Sequence, residues 1–230
     1  MTVRPICAAA RFCRVFVVSV MVYSGQAYLG DKKMNRRTTM KSLAVAAFLA
    51  TSFSLPAFAA TEVAGVKFDD TLTIAGKELK LNGAGIRTKV IFKVYAAGLY
   101  LTEKKNTVPD VLAVPGPRRV SITMLREVSS EDFGKAFMDG LNANTEKTER
   151  TKILPQTMKF GEVFAQIQTL KKGDQMLLDW TPGEGTQCYL NGKKLGELMP
   201  DQAFYNAVLR IWLGDKPVDS SLKPALLGEK

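Results

Sequence analysis

Residues 81–101 read LNGAGIRTKVIFKVYAAGLYL. Gly83-Ala84-Gly85 reads as a strand end that delivers Arg87, and a dense run of β-favouring residues follows. From Val90 to Leu101 that run is apolar at both parities, which predicts a central strand covered on both faces. A guanidinium stays charged at any working pH and offers a planar fork to a carboxylate or phenolate. Glycines just before it let a ligand or a second backbone come close. Arg87 is therefore a candidate ligand anchor. On an unbroken strand Tyr95 and Tyr100 face opposite sides, so only one shares a pocket with Arg87. Tyr95 is the candidate, with a hydroxyl suited to a ligand oxyanion, and Lys93 is a candidate second cation. The competing assignments are structural: an arginine solvating a strand end, a hydrogen-bonded core tyrosine, a solvated lysine. Tyr100 is assigned to the core.

Outward from this stretch, Val63 to Leu81 alternates short apolar runs with Gly65, Asp69-Asp70 and Gly76-Lys77, the pattern of small strands joined by turns. Pro109 to Pro117 reads as a loop, and Arg118 to Arg126 as another alternating strand. Ser129 or Ser130 then caps a helix with Glu131 and Asp132 in its first turn. Phe133, Phe137 and Leu141 form its apolar stripe. The charged stretch Thr145–Lys152 reads as a solvated loop. A second helix is expected over Lys159–Leu170, stopped by Lys171-Lys172-Gly173-Asp174. Met176–Trp180 returns to strand, and Asn191-Gly192 between apolar runs marks a hairpin. A helix over Asp201–Leu213 buries Phe204, Ala207, Val208, Ile211 and Trp212, and Gly214 ends it. Strands, then helices, then a hairpin and a helix make an α+β order. The phenylalanines and Trp180 read as packing.

The N-terminal part has another character. Arg36, Arg37 and Lys41 precede an uncharged, mostly apolar run from Ser42 to Leu55, then Pro56 and Ala57-Phe58-Ala59. This is a secretory signal over 34–59 with cleavage before Ala60. The apolar run is shorter than the roughly 20 residues a bilayer-spanning helix needs, and no later stretch is long and uncharged enough. Thr39 stands where a twin-arginine signal wants a large apolar residue, so the general secretory route and a periplasmic destination are expected. Residues 1–33 precede a complete signal, which points to a mis-assigned start with Met34 or Met40 as initiator. Residues 60–230 are then one domain.

Removing that segment changes the chemistry that charge implies. Of 32 Lys+Arg and 22 Asp+Glu, 24 and 21 lie after residue 59, which lowers the net charge from +10 to +3. That gives no support for nucleic-acid binding. Cys188 alone remains of three cysteines and reads as a buried thiol. The chain has no histidine, which excludes Ser-His-Asp and Cys-His catalysis and the commonest zinc ligand. No carboxylate cluster has metal-loop spacing and no Gly-rich phosphate cradle is present. No cofactor or metal is expected.

Gly83-Ala84-Gly85-Ile86-Arg87, Gly98-Leu99-Tyr100-Leu101 and the tail Ile211-Trp212-Leu213-Gly214, Pro217, Leu222-Lys223, Leu226-Leu227-Gly228 resemble the chalcone isomerase-like family. The resemblance covers most of residues 63–228, with its specific motifs at the two ends. It implies a largely antiparallel β-sheet with helices packed on one face, an open-faced sandwich. It also implies that Arg87 holds an anionic oxygen at the mouth of an apolar cleft. Plant chalcone isomerases close a ring by adding a phenolate to an enone. Here Tyr95 stands where their strand carries a threonine, and the segment from Arg87 to Gly98 is shorter by a few residues. Three functions follow. The first is a binder of a small apolar ligand with an anionic head, a fatty acid or aromatic acid, held by Arg87, Tyr95 and Lys93. The second is an intramolecular lyase or isomerase on an enone. The third is an envelope protein-interaction module.

Overall fold

A computed structural model describes residues 60–229. The expected leader over 1–33 and signal over 34–59 lie outside the described residues. Three short β segments, β1 (Ala60–Val63), β2 (Val66–Asp69) and β3 (Thr71–Ile74), and the long β4 (Lys77–Lys89) open the fold. The central strand β5 (Phe92–Leu101) follows, then helix α1 (Val108–Ala113) and β6 (Arg118–Met124). Next come β7 (Val128–Ser129), α2 (Ser130–Ala143), α3 (Lys147–Ala165) and β8 (Thr169–Leu170). Strands β9 (Gln175–Thr181), β10 (Gly185–Leu190) and β11 (Lys193–Met199) lead into α4 (Gln202–Leu213) and α5 (Leu222–Leu226).

Seven strands form one antiparallel sheet in the order β11-β10-β9-β6-β5-β4-β3. The fold is α+β, with a curved antiparallel sheet and helices on one face, as the sequence predicts. Strand β5 lies inside the sheet and is buried from Val94 to Leu101. Its Ala97, Leu99 and Leu101 join the helix-side core with Phe133, Phe137, Phe160, Phe204 and Trp212. Its Ala96 and Tyr100 join a smaller cluster on the other face with Leu79, Leu81 and Phe68 from the β1–β2 ribbon. Burial pushes the Tyr100 hydroxyl up to about 12, with Asp69 adding to it. Cys188 is buried, and burial raises its thiol to about 12, which leaves it protonated and inert.

Local signals explain most boundaries. Ser129 caps α2 by accepting from Asp132 N at 3.1 Å, and Asp201 caps α4 by accepting from Ala203 N at 2.8 Å. Three expectations need correction. Residues 108–113 are helical rather than loop: Thr107 accepts from Asp110 N and Pro109 sits in the first turn, where its missing N–H costs nothing. Residues 147–152 are the first turns of α3, which runs through Pro155 and keeps Ile153, Thr157, Phe160, Val163 and Phe164 buried. That buried face outweighs both the proline and the charged composition. At its other end α3 stops at Ala165, earlier than expected, because Thr169-Leu170 pairs with Val128-Ser129 as a small ribbon. Among the described residues, no helix is long and apolar enough to cross a membrane.

Candidate functional site

Two irregularities in the β4–β5 ladder decide which side chains face the helices. Leu81 pairs with Tyr100 but Gly83 with Leu99, so Asn82 is an extra residue that reverses the parity of β4. Leu79 and Leu81 therefore face the outer cluster, whereas Gly83, Gly85 and Arg87 face the helices. The bulge is tied down by Asn82 itself, which donates to Leu226 O at 2.8 Å and accepts from Lys105 N at 2.7 Å. Further along, Arg87 pairs with Tyr95 but Thr88 with Lys93, leaving Val94 as the extra residue on β5. Beyond it Phe92 and Val94 line the cleft beside Arg87. Lys93 is exposed and is not among the lining residues.

The glycines lie inside β4 and not at a strand end. A Cβ at Gly83 would collide with the Ala225 carbonyl oxygen, and one at Gly85 would lie 2.8 Å from Ala225 Cβ. Their bareness admits α5, a second piece of backbone rather than a ligand. The two ends of the chain that carry the family motifs thus meet in space. Asp219, just before α5, adds a second clasp beside the arginine by accepting from Thr88 N at 2.7 Å.

Arg87 and Tyr95 are cross-strand neighbours, with the guanidinium carbon 5.5 Å from the tyrosine ring centroid. Arg87 Nε is buried and has no hydrogen-bond partner. The Tyr95 hydroxyl accepts from Trp212 Nε1 at 2.8 Å, which assigns the α4 tryptophan a polar role as well as a packing one. Burial pushes Tyr95 above the ordinary phenol value, against the opposing pull of Arg87 and the Trp212 N–H. It therefore stays neutral at working pH, with a proton to donate.

A cleft of about 430 Å³ opens over Arg87 between the β4–β5 hairpin and α2. Its apolar wall is Val90, Phe92, Val94, Val128, Phe133 and Ala136. Lys89 and Arg126 accompany Arg87 as cations, opposed by Glu127 and Asp132. Beneath it lies a void of about 10 Å³, near the size of one water, bounded by Arg87, Tyr95, Phe133 and Trp212. Arg87 and Phe133 belong to both spaces. Tyr95 borders only the inner one.

The sequence reading missed Lys89 and Arg126. Lys89 shares the parity of Arg87 on β4 and was legible on that ground; Arg126 follows β6 and reaches the cleft only through the tertiary fold. Burial alone does not mark the site. Arg118 is fully buried and its Nε and Nη2 lack partners like Arg87 Nε, but its Nη1 donates to Val111 O, Leu112 O and Asn206 Oδ1 at 3.1–3.4 Å, and it lies over the Tyr205 ring. Its neighbour Arg119 forks onto Asp179 at 2.5–2.6 Å. Arg87 differs from both in facing a cleft.

The family model for chalcone isomerase-like proteins matches residues 60–228. The chain belongs to that family. Comparison with curated proteins found no match. Among solved structures, this chalcone isomerase-like chain is similar to a fatty-acid binding protein of Arabidopsis thaliana, at 14% identity and a TM-score of 0.56. The match covers 71% of this chain and 92% of the plant one. At that identity the likeness speaks for the shared fold.

Proposed function

We propose that this protein binds a small apolar ligand with an anionic head, a fatty acid or an aromatic acid. Arg87 takes the carboxylate at the floor of the cleft, and Val90, Phe92, Val94, Val128 and Phe133 hold the body. The carrying observation is the buried, unpartnered Nε of Arg87 beneath an apolar-walled cleft. A buried donor without an acceptor is costly, and a bound carboxylate removes the cost. Tyr95, which borders only the inner void, backs the Arg87 guanidinium from below as a neutral phenol held by Trp212. The similar plant structure is that of a fatty-acid binding protein, which supports the fatty-acid choice. Lys93 is set aside in favour of Lys89, which lines the cleft. Binding is preferred to enone isomerisation because the one hydroxyl bordering the inner void is Tyr95, and the Ser129 hydroxyl of the outer cleft is engaged by Asp132. On the strength of the 34–59 pattern, we also propose export to the periplasm, which N-terminal sequencing of the cell-processed protein tests directly.

Native mass spectrometry of the purified protein beside Arg87→Ala tests the binding reading. The expected result is a discrete added mass that the variant loses, with an affinity for added fatty acid lower by roughly 10–100-fold, the worth of a charged hydrogen bond. Equal affinity in both proteins, or turnover of an enone whose rate falls in the variant, would overturn it.

A further inference from the structure

The tip of the β4–β5 hairpin is built against ordinary surface chemistry. Lys89 pairs with Phe92, so Val90 and Ile91 form a two-residue turn, and Val90 has φ +60°. That conformation suits glycine or asparagine and is a genuine outlier for a β-branched residue. Both turn residues are also bare, with Val90 88% and Ile91 78% exposed, and the adjoining Phe92 is 55% exposed. Around this apolar point stand the exposed cations Lys89, Lys93 and Arg126. The Arg126 guanidinium lies 4.9 Å from the Phe92 ring centroid, so a charge sits against the apolar tip. Val90, Phe92, Lys89 and Arg126 are at the same time walls of the cleft.

We propose that this hairpin tip docks the protein on an anionic phospholipid surface: Val90, Ile91 and Phe92 enter the acyl boundary, Lys89, Lys93 and Arg126 meet the headgroups, and the cleft opens toward the bilayer. An apolar point in a basic collar is the arrangement of an interfacial anchor, with long cationic side chains reaching up to the phosphates. Each basic residue near such a surface is worth roughly fivefold in affinity at low salt. Asp132 accepts from Ser129 Oγ and Asp219 from the Thr88 N–H, both at 2.7 Å, and both keep their charge, so with Glu127 they oppose the basic collar. Lys93, which does not line the cleft, has its place here. The docking geometry stands independently of the ligand, but its use, loading a lipid acid from the membrane, rests on the proposed binding function.

The test is sedimentation of the purified protein with vesicles of equimolar phosphatidylglycerol and phosphatidylcholine, and with phosphatidylcholine alone. Wild type is compared with Ile91→Asp and Lys93→Glu, all three as processed by the cell and with the same N-terminus by sequencing. Expected are binding to the anionic vesicles that salt weakens, and a loss on the order of tenfold or more in Ile91→Asp. Lys93→Glu, a reversal by two charges, should weaken it roughly 25-fold at low salt, while both variants keep wild-type melting and affinity for soluble fatty acid. Equal sedimentation of wild type and Ile91→Asp, or no sedimentation of either, overturns the proposal. So does a dimer in solution that Ile91→Asp dissolves without any vesicle binding. Loss of fatty-acid affinity in Arg87→Ala is measured separately, so the two readings fail independently.

Discussion

Among the hairpins of the sheet, two with two-residue turns have opposite chemistry. At Asn191-Gly192 the turn residues have φ of +49° and +78°, which their side chains tolerate. Asn191 further accepts from Gln175 N and donates to Asp174, both at 2.9 Å. At Val90-Ile91 a left-handed conformation is forced on valine, and both side chains face solvent. Turn chemistry is obeyed at Asn191-Gly192 and relaxed at Ala75-Gly76 of the β3–β4 hairpin, where an alanine takes φ +49° ahead of a glycine. It is broken where the hairpin borders the cleft. A local rule broken beside Arg87, whose buried Nε lacks an acceptor, is what a functional edge looks like in physical terms.

The largest effect tests what holds the β4–β5 side in place. Gly83→Ala forces a Cβ into the Ala225 carbonyl, and a stability loss of about 3 kcal/mol is expected in urea unfolding. A melting curve like wild type would mean that α5 does not rest on β4. Next come the turns themselves. Writing Val-Ile in place of Asn191-Gly192 should cost about 2 kcal/mol, whereas writing Asn-Gly in place of Val90-Ile91 should stabilise by about 1 kcal/mol. Shifts of equal sign in the two chimaeras would end the comparison. The smallest effect sharpens it. Burial alone would raise the Asp219 carboxyl, but hydrogen bonds from Ser221 and from the Thr88 N–H hold it below the usual carboxylate value. Its stabilisation is therefore present above the ordinary carboxylate value and is lost as pH falls through the lowered one. Asp219→Asn should lose less than about 1 kcal/mol at neutral pH, given partial exposure, and the two melting curves should converge in acid.

Periodicity carried the fold. The two-sided apolarity of Val90–Leu101 marks an interior strand, and the stripe Phe133, Phe137, Leu141 marks the helix over it, because both patterns follow from backbone repeat alone. The N-terminus of α3 was hidden because a charged run before a proline reads as loop until a buried face is known to compensate. The site was half legible. Arg87 and Tyr95 carried motif and residue chemistry, but Lys93, named as a second cation, is turned out of the cleft by the extra residue at Val94.

The sequence by itself determined the α+β class, the central strand, the Asn191-Gly192 turn and the absence of histidine chemistry, since each depends on composition or on a repeat of two or 3.6 residues. Tertiary structure decided which face each site residue occupies. One extra residue at Asn82 turns Arg87 toward the helices, and one at Val94 turns Lys93 away. A bulge is anchored by partners distant in the chain, here Leu226 and Lys105 for Asn82, so no local window can reveal it.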